Sequence, residues 1–111
     1  MIEVIKNIAD FLKTLSDPKR LEIIIYLKDG EKTSKDIETA LKLRQPNVSQ
    51  QLKTLQDVNL IKYEKRDNKK YYSIRDPYLF KILSNIQSFL INLEKEKIRD
   101  YSDMNIFDTL I

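Results

Sequence analysis

Apolar residues recur every three or four positions at both ends of the chain. Near the N-terminus they are Ile2, Ile5, Ile8, Ala9, Leu12 and Leu15, and after Pro77 they are Leu79, Ile82, Leu83, Ile86, Phe89, Leu90 and Leu93. This spacing predicts amphipathic helices over residues 2–15 and from about residue 78 to residue 97. Both apolar faces are wider than the core of a 111-residue chain covers, so we expect both helices to pack on a second copy of the chain. The alternative for the last helix is a purely intramolecular core helix. The tail positions have similar spacing, which is consistent with a short final helix or with a frayed end: Tyr101, Met104, Phe107, Leu110 and Ile111.

A second helix is predicted after Ser16. Asp17 suits the position that caps a helix, Pro18 suits the first helical turn, and Gly30 suits the end of the segment. We expect Arg20 and Glu22 to face solvent. The residues expected to face inward are Leu21, Ile24 and Ile25, with Tyr26 and Leu27 as further candidates.

Residues 33–60 predict two short helices that are joined by a tight turn. Thr33 and Asp36 have the spacing of a capping box, which starts the first of these helices. Pro46 marks the start of the second helix. Its buried stripe is predicted to contain four residues at steps of four, three and three: Val48, Leu52, Leu55 and Val58.

The opposite face of this second helix has the chemistry of a base-reading surface. It holds Asn47, Ser49, Gln50, Gln51, Lys53 and Thr54. Amide and hydroxyl side chains form hydrogen bonds with base edges, and the carboxylates that phosphates would repel are absent from this helix until Asp57. The less specific interpretation is an ordinary solvated face, but such faces usually mix Glu with Lys.

After Leu60 the pattern changes from helical to alternating. It predicts two short strands, and Asp67-Asn68-Lys69 predicts a three-residue polar turn between them. The tip of the resulting β-hairpin is basic, with Lys65, Arg66, Lys69 and Lys70. Such a tip can reach the DNA backbone beside a groove, where it adds affinity but little sequence information.

The net charge of +3 is concentrated in one third of the chain. Residues 42–75 hold nine Lys or Arg and three Asp or Glu, which is a net charge of +6. A local basic stripe of this kind indicates a polyanionic partner. A generally lysine-rich surface, the alternative explanation, would distribute its charge more evenly.

The chain contains no Cys, no His and one Gly. This composition excludes disulfides, thiolate nucleophiles, thiolate or imidazole metal ligands and glycine-rich phosphate loops. No constellation of Asp, Glu, Lys and Tyr indicates catalysis, so we expect neither an enzyme nor a cofactor. No segment is apolar enough to span a bilayer, and the N-terminus lacks the features of a signal peptide. We therefore expect a cytoplasmic protein without a membrane partner.

Two segments resemble the ArsR/SmtB family of bacterial and archaeal transcriptional repressors. They are LSDPKRLEIIIYL (15–27) and LKLRQPNVSQQLKTLQDVNLIKYEKRDNKKYYSI (41–74), and the resemblance covers most of residues 1–93. It implies a mainly α fold with a small β-hairpin, arranged as a winged helix-turn-helix in a single domain over residues 1–111. Its parts would be the dimerisation helices 1–15 and 77–111, the helix-turn-helix 33–60 and the wing 61–75.

The resemblance also implies a partner and residue roles. The partner would be double-stranded DNA with a near-palindromic operator, bound by a homodimer. By match to the family motif, four residues face the bases and four contact phosphates: Gln45, Asn47, Ser49 and Gln50, then Lys53, Arg66, Lys69 and Lys70. Arg44 replaces the family's usual serine cap and adds a cation beside the DNA backbone.

The departures from the family pattern concern metal sensing. Some members carry a cysteine pair where this chain has Thr33-Ser34-Lys35, and others use Asp and His on the last helix. Because this chain has neither residue set, metal control of that kind is not expected. A carboxylate-only site at Glu96, Asp100 and Asp103 is the remaining candidate, but acidic residues on a charged helix are ordinarily just solvated.

The leading hypothesis is a homodimeric transcriptional repressor that occludes a promoter with two recognition helices about 34 Å apart. Its inducer would be an apolar or aromatic small molecule or a partner protein, or there would be no inducer. The alternative is a winged-helix protein–protein interaction module that does not bind DNA. Such a module has no need of cations gathered on the recognition helix and the wing.

Overall fold

The computed structural model describes the backbone of residues 1–110 and the side chains of residues 1–99. Its elements there are α1 (Ile2–Leu15), α2 (Pro18–Tyr26), a 3-10 turn (Leu27–Asp29), α3 (Ser34–Leu41), α4 (Gln45–Asp57), β1 (Ile61–Arg66), β2 (Lys69–Ile74) and α5 (Tyr78–Leu110). They form two compact units, Met1–Pro77 and Tyr78–Ile111. The order of helices and hairpin confirms the predicted winged helix-turn-helix, in which α3 and α4 are the helix-turn-helix and the hairpin is the wing.

The core of the first unit is built from α2, α3, α4 and β1. Its most deeply buried side chains are Ile23, Ile24, Ile37, Val48, Leu52, Leu55 and Ile61. Burial of one aliphatic side chain of this size stabilises a fold by about 1.5–3 kcal/mol. Because several elements share these contacts, the core fixes which face of α4 stays in solvent.

The predicted capping signals start α2 and α3. The Asp17 carboxylate accepts a hydrogen bond from the backbone N–H of Lys19 at 2.9 Å. In the capping box, the Asp36 N–H donates to Thr33 Oγ1 at 3.1 Å, and the Thr33 N–H donates to the Asp36 carboxylate at 3.0 Å. The hydrogen bond from the Thr33 backbone lowers the pKa of Asp36, because it stabilises the ionised carboxylate.

Two residues that were predicted to be buried are exposed. Ile25 is 58% exposed because Ile23 and Ile24 occupy the inward positions of α2. Val58, predicted to complete the buried stripe of α4, is 45% exposed. Helix α4 ends at Asp57 and the chain turns at Asn59, whose φ is 62°, so Val58 has already left the helical repeat.

The wing is a two-stranded antiparallel hairpin whose turn is shorter than predicted. Lys69 belongs to β2 and pairs with Arg66, so the turn consists of Asp67 and Asn68 alone. Their φ angles of 51° and 65° are both positive. Two-residue hairpin turns of type I′ require positive φ at both residues, and Asp and Asn tolerate it better than most residues.

A short backbone bridge, not predicted from the sequence, ties the wing to the segment before α3. The Lys32 N–H donates to the Tyr72 carbonyl at 2.9 Å, and the Tyr72 N–H donates to the Lys32 carbonyl at 2.8 Å. Burial raises the pKa of Tyr72, because the phenolate would lose its hydration. The bridge holds the wing beside the N-terminus of α3.

The second unit is the helix α5, which continues beyond the predicted limit at residue 97. The tail residues named above lie outside the described side chains. Among the side chains that are described in this unit, several large apolar ones are exposed, including Ile86, Phe89, Leu90 and Leu93. Across the described residues, no helix combines the length and the hydropathy needed to cross a membrane.

Candidate nucleic-acid interface

Helix α4 turns one face to the core and the opposite face to solvent. Val48, Leu52 and Leu55 are buried, as their spacing predicts. The six residues of this region that were predicted to contact DNA are all exposed: Arg44, Gln45, Asn47, Ser49, Gln50 and Lys53. Thr54 is half-buried, and its hydroxyl donates to the backbone carbonyl of Gln50 at 3.1 Å. The solvent face of α4 therefore presents amides and hydroxyls, which suit base edges.

Gln51 does not belong to this face, contrary to the prediction. Its Nε2 donates to Asp17 Oδ2 at 2.9 Å, and its Oε1 accepts from Arg20 Nε at 2.9 Å. The hydrogen bond from Gln51 is the main cause that lowers the pKa of Asp17. Arg20, predicted to face solvent, is drawn in by the same contact and also donates to the Thr14 carbonyl at 2.6 Å. Gln51 thus connects α4 to α2.

The tip of the wing places like charges opposite each other. In the register of the hairpin, Lys65 faces Lys70 and Arg66 faces Lys69. Directly opposed like charges destabilise a two-stranded sheet, where one cross-strand pair is worth roughly 0.2–1 kcal/mol. A bound polyanion would remove this repulsion, so the arrangement favours an anion-binding surface.

Two of the wing cations are held over aromatic rings. The Lys70 ammonium lies 4.6 Å from the centre of the Tyr63 ring, and the Arg66 guanidinium lies 4.2 Å from the centre of the Tyr71 ring. Cation–π contacts restrict the side chains without neutralising them. The tip therefore presents its charges from preferred positions.

Arg66 differs from the other wing cations in having carboxylate partners. It pairs with Glu31, in the segment before α3, and with Glu64 at 3.6 Å. The hydrogen bond with Glu31 raises the pKa of Arg66, because it stabilises the charged guanidinium. In this structure Arg66 fastens the wing to the body of the unit, whereas Lys65 and Lys69 are exposed on either side of the turn.

An open groove lies between α4, the N-terminus of α3 and the wing. Its lining includes four cations and two exposed polar side chains of α4: Lys35, Lys65, Lys69, Lys70, Gln45 and Ser49. Within the described part of the chain, no Asp or Glu lines this groove. The groove brings together four of the predicted contact residues, and the other five lie outside it: Arg44, Asn47, Gln50, Lys53 and Arg66.

Lys35 lines the groove although the sequence did not indicate it as a DNA contact, and Lys65 was predicted only as a member of the basic hairpin tip. Lys65 is one of the four tip cations, and Lys35 stands in the first turn of α3. The Lys32 bridge to β2 brings that turn next to the wing. A cation in the first turn of the first helix-turn-helix helix was the signal that could have identified Lys35, since helix N-termini attract phosphates.

The carboxylate candidate for a metal site lies mostly beyond the described side chains. The side chains of Asp100 and Asp103 are outside the described range. The third candidate, Glu96, is exposed on α5. In residues 1–99, no three acidic side chains approach closely enough to hold a metal ion.

Comparison with known proteins identifies the family. Residues 17–63 match the model of the arsR family of bacterial regulatory proteins. The chain is 36% identical over 81 residues to the arsenical resistance operon repressor of Staphylococcus xylosus, and the match covers 73% of this chain and 78% of that protein.

Solved structures share the fold. Rv0081 of M. tuberculosis superposes with a TM-score of 0.78 at 25% identity, over 86% of this chain and 96% of that chain. A second similar structure is the homodimeric winged helix-turn-helix DNA-binding domain of a possible ArsR-family regulator from Mycobacterium bovis. It superposes with a TM-score of 0.71 at 22% identity, over 81% of this chain and 86% of that chain. The chain therefore belongs to the arsR family of bacterial regulatory proteins, and it is a DNA-binding transcriptional repressor and not an enzyme.

Proposed function

We propose that this repressor acts as a cytoplasmic homodimer, binds a near-palindromic operator and thereby blocks a promoter. The observation that carries the proposal is the exposed amide and hydroxyl face of α4, which borders a groove lined by four lysines. In a twofold-symmetric dimer, two such helices would enter successive major grooves about 34 Å apart.

The residues of α4 and its N-cap residue, Arg44, divide into base contacts and phosphate contacts. Gln45, Asn47, Ser49 and Gln50 form hydrogen bonds with base edges, because their amides and hydroxyls offer donors and acceptors. Arg44 and Lys53 lie near the two ends of this row and contact phosphates, which fix the position of the helix but carry no sequence information. The absence of a carboxylate from α4 before Asp57 supports this assignment.

The wing contacts the DNA backbone beside the recognition helix. Lys69 and Lys70 contact phosphates, joined by Lys65, because all three line the groove that borders α4. Arg66 contacts a phosphate only by exchanging its Glu31 partner for the DNA. The repulsion between the opposed wing cations supports a polyanionic partner for this tip.

The homodimer is supported by the apolar face of α1. Ile2, Ile5, Ile8 and Leu12 stand at helical spacing, and each is more than 50% exposed. A contiguous apolar row of this kind on a small protein marks an interface. Helix α5 carries exposed apolar residues of its own, including Phe89 and Leu90. Each helix would bury its apolar face against the second copy.

The alternative, a winged helix that binds only protein, does not account for a carboxylate-free basic groove beside α4. An interaction with protein would also be nearly insensitive to salt, whereas DNA binding weakens steeply as salt rises. The inducer of the repressor, if it has one, is a small molecule or a partner protein.

The test starts from random DNA. The purified chain would select ligands from a library of random duplexes over several rounds, and the enriched 30-base-pair duplex would be compared with a scrambled duplex of the same composition. We expect the selected sequence to be near-palindromic, and its affinity to exceed that of the scrambled duplex by at least about 10³-fold. Light scattering after size-exclusion chromatography should give twice the mass of the chain.

Two results would refute the proposal. Equal affinity for the selected and the scrambled duplex would rule out sequence-specific recognition. A monomer that binds a single half-site at micromolar concentration would rule out the homodimer.

A further inference from the structure

Three polar side chains join the recognition helix to the start of α2. The amide of Gln51 donates to the Asp17 carboxylate and accepts from the Arg20 guanidinium, both at 2.9 Å. Only this orientation of the Gln51 amide satisfies both neighbours. The reverse orientation would place the amide oxygen against the Asp17 carboxylate and the amide NH₂ against the Arg20 guanidinium. We call this arrangement the Asp17–Gln51–Arg20 clasp.

The clasp extends to the end of α1. Arg20 Nη1 donates to the Thr14 carbonyl at 2.6 Å, and Thr14 is buried in the last turn of α1. Arg20 Nη2 also lies 3.8 Å from Asp17 Oδ2, where the two side chains are 17% and 34% exposed. The ends of α1 and α2 and the helix α4 thus meet at the partly desolvated guanidinium of Arg20. Charge-assisted hydrogen bonds at such a site are stronger than those at a fully exposed site.

Gln51 stands directly after two residues proposed to read bases, Ser49 and Gln50. The apolar stripe of α4 keeps the helix in the core, but aliphatic contacts have little directional preference. Hydrogen bonds have directional geometry, so the clasp restricts the rotation of α4 about its axis and its sliding along it. Base readout depends on this restriction, since hydrogen bonds to base edges fail when donors are displaced by a fraction of an ångström.

We propose that Gln51 is a positioning residue for sequence recognition: through Asp17 and Arg20 it fixes the base-reading face of α4 relative to α2 and to the end of α1. The inference rests on the proposed function. It adds a specificity-determining residue that does not touch DNA and lies on the protein side of the recognition helix.

A swap of donor and acceptor tests the clasp. Gln51→Glu alone sets two carboxylates against each other. Asp17→Asn alone sets the NH₂ group of the new amide against the NH₂ group of Gln51, so two donors face each other. In the double variant Asp17→Asn, Gln51→Glu, the new amide at position 17 donates to the new carboxylate at position 51. Arg20 still donates to position 51, and the amide oxygen at position 17 still accepts from the Lys19 N–H. The double variant also keeps the net charge of the wild type, so its general attraction to DNA is matched.

The readout is the ratio of dissociation constants for the scrambled and the selected 30-base-pair duplexes, measured well below the midpoint of thermal unfolding. We expect each single variant to lower this ratio about tenfold, the factor that corresponds to one charge-assisted hydrogen bond. In the double variant the ratio of dissociation constants should return to within about twofold of the wild-type ratio, because twofold is the usual scatter of such measurements.

Two outcomes would overturn the inference. One is a set of variants that change the midpoint of thermal unfolding but not the ratio, because the clasp would then serve stability alone. The other is a double variant as impaired as the singles. If Gln51→Glu does not fold, Gln51→Met keeps the length of the side chain and should show the same tenfold loss. A wild type without any preference for the selected duplex would instead refute the proposed function, and the two failures are therefore distinguishable.

Discussion

Lys65 and Lys70 face each other directly across the wing, so two cations of equal charge occupy one cross-strand pair beside the turn. The neighbouring pair, Arg66 and Lys69, repeats the arrangement. A hairpin selected for stability alone would pair opposite charges at these positions. The wing thus gives up local stability for a surface that attracts phosphate.

Replacing Lys65 and Lys70 with alanine should weaken DNA binding and leave the stability of the wing nearly unchanged. The loss of two phosphate contacts should reduce the slope of log K against log salt by about 0.9 for each contact, on selected and scrambled duplexes alike. Removal of the opposed pair relieves a repulsion of roughly 0.2–1 kcal/mol. The loss of the Lys70–Tyr63 cation–π contact costs about 0.5–1 kcal/mol, so the free energy of unfolding should change by less than about 1 kcal/mol. Binding titrations between low and physiological salt and urea unfolding measure the two effects.

The matched control for the wing is Lys62→Ala. Lys62 lies on β1 and pairs with Ser73, away from the turn. The Lys62→Ala variant should leave the slope of log K against log salt almost unchanged. An unaltered slope in the Lys65, Lys70 variant would place the wing outside the DNA interface.

Replacing Gln50 with alanine should relax the sequence preference without changing the salt slope. The loss on the selected duplex should be about 1–3 kcal/mol, because one set of base contacts is removed, and the loss on the scrambled duplex should be small. Thr39→Ala, which changes an exposed polar residue on α3 instead of α4, is the control. Equal losses on both duplexes would show that Gln50 does not read bases.

Introducing a charge into the apolar row of α1 should dissociate the dimer. Ile8 is 54% exposed at the middle of this row, and Ile8→Lys would require the burial of an unpaired ammonium at the interface. Sedimentation over a concentration series should show a monomer where the wild type is a dimer. Asp10→Lys places the same group on the opposite side of α1 and should leave the dimer intact. A dimeric Ile8→Lys variant would exclude α1 from the interface.

Acid should destabilise the fold through Asp17 and Asp36. The Gln51 side chain lowers the pKa of Asp17, and the Thr33 backbone lowers the pKa of Asp36. Both folded-state values lie below the unfolded ones, so this stabilisation is complete above about pH 4 and is lost as pH falls through the lower folded values. Urea unfolding from pH 6 to pH 2.5 measures this loss as a fall in the free energy of unfolding.

The acid prediction has its controls in the chain. Asp17→Asn and Asp36→Asn should each flatten the fall in unfolding free energy below about pH 4, because each removes one titrating group. A profile that is the same in wild type and variants would contradict the assignment to these carboxylates.

The sequence by itself determined the helices, the wing and the chemistry of α4. Local signals sufficed for this, because capping at Thr33 depends on neighbouring residues only, and the buried stripe of Val48, Leu52 and Leu55 follows from a period of 3.6. Boundaries were less certain where competing local signals met. Lys69 could belong to the turn or to the strand, and only the positive φ angles of Asp67 and Asn68 decided for a two-residue turn.

Only the tertiary structure decided which polar residues face DNA and which face the protein. Gln50 and Gln51 are adjacent and chemically identical, and periodicity marks only the apolar side of a helix. Gln51 turns inward because Asp17 and Arg20, more than thirty positions away, supply the acceptor and the donor that its amide requires. The engagement of Arg66 by Glu31 and the arrival of Lys35 at the wing have the same origin. These contacts join residues far apart in the chain, and no local pattern encodes them.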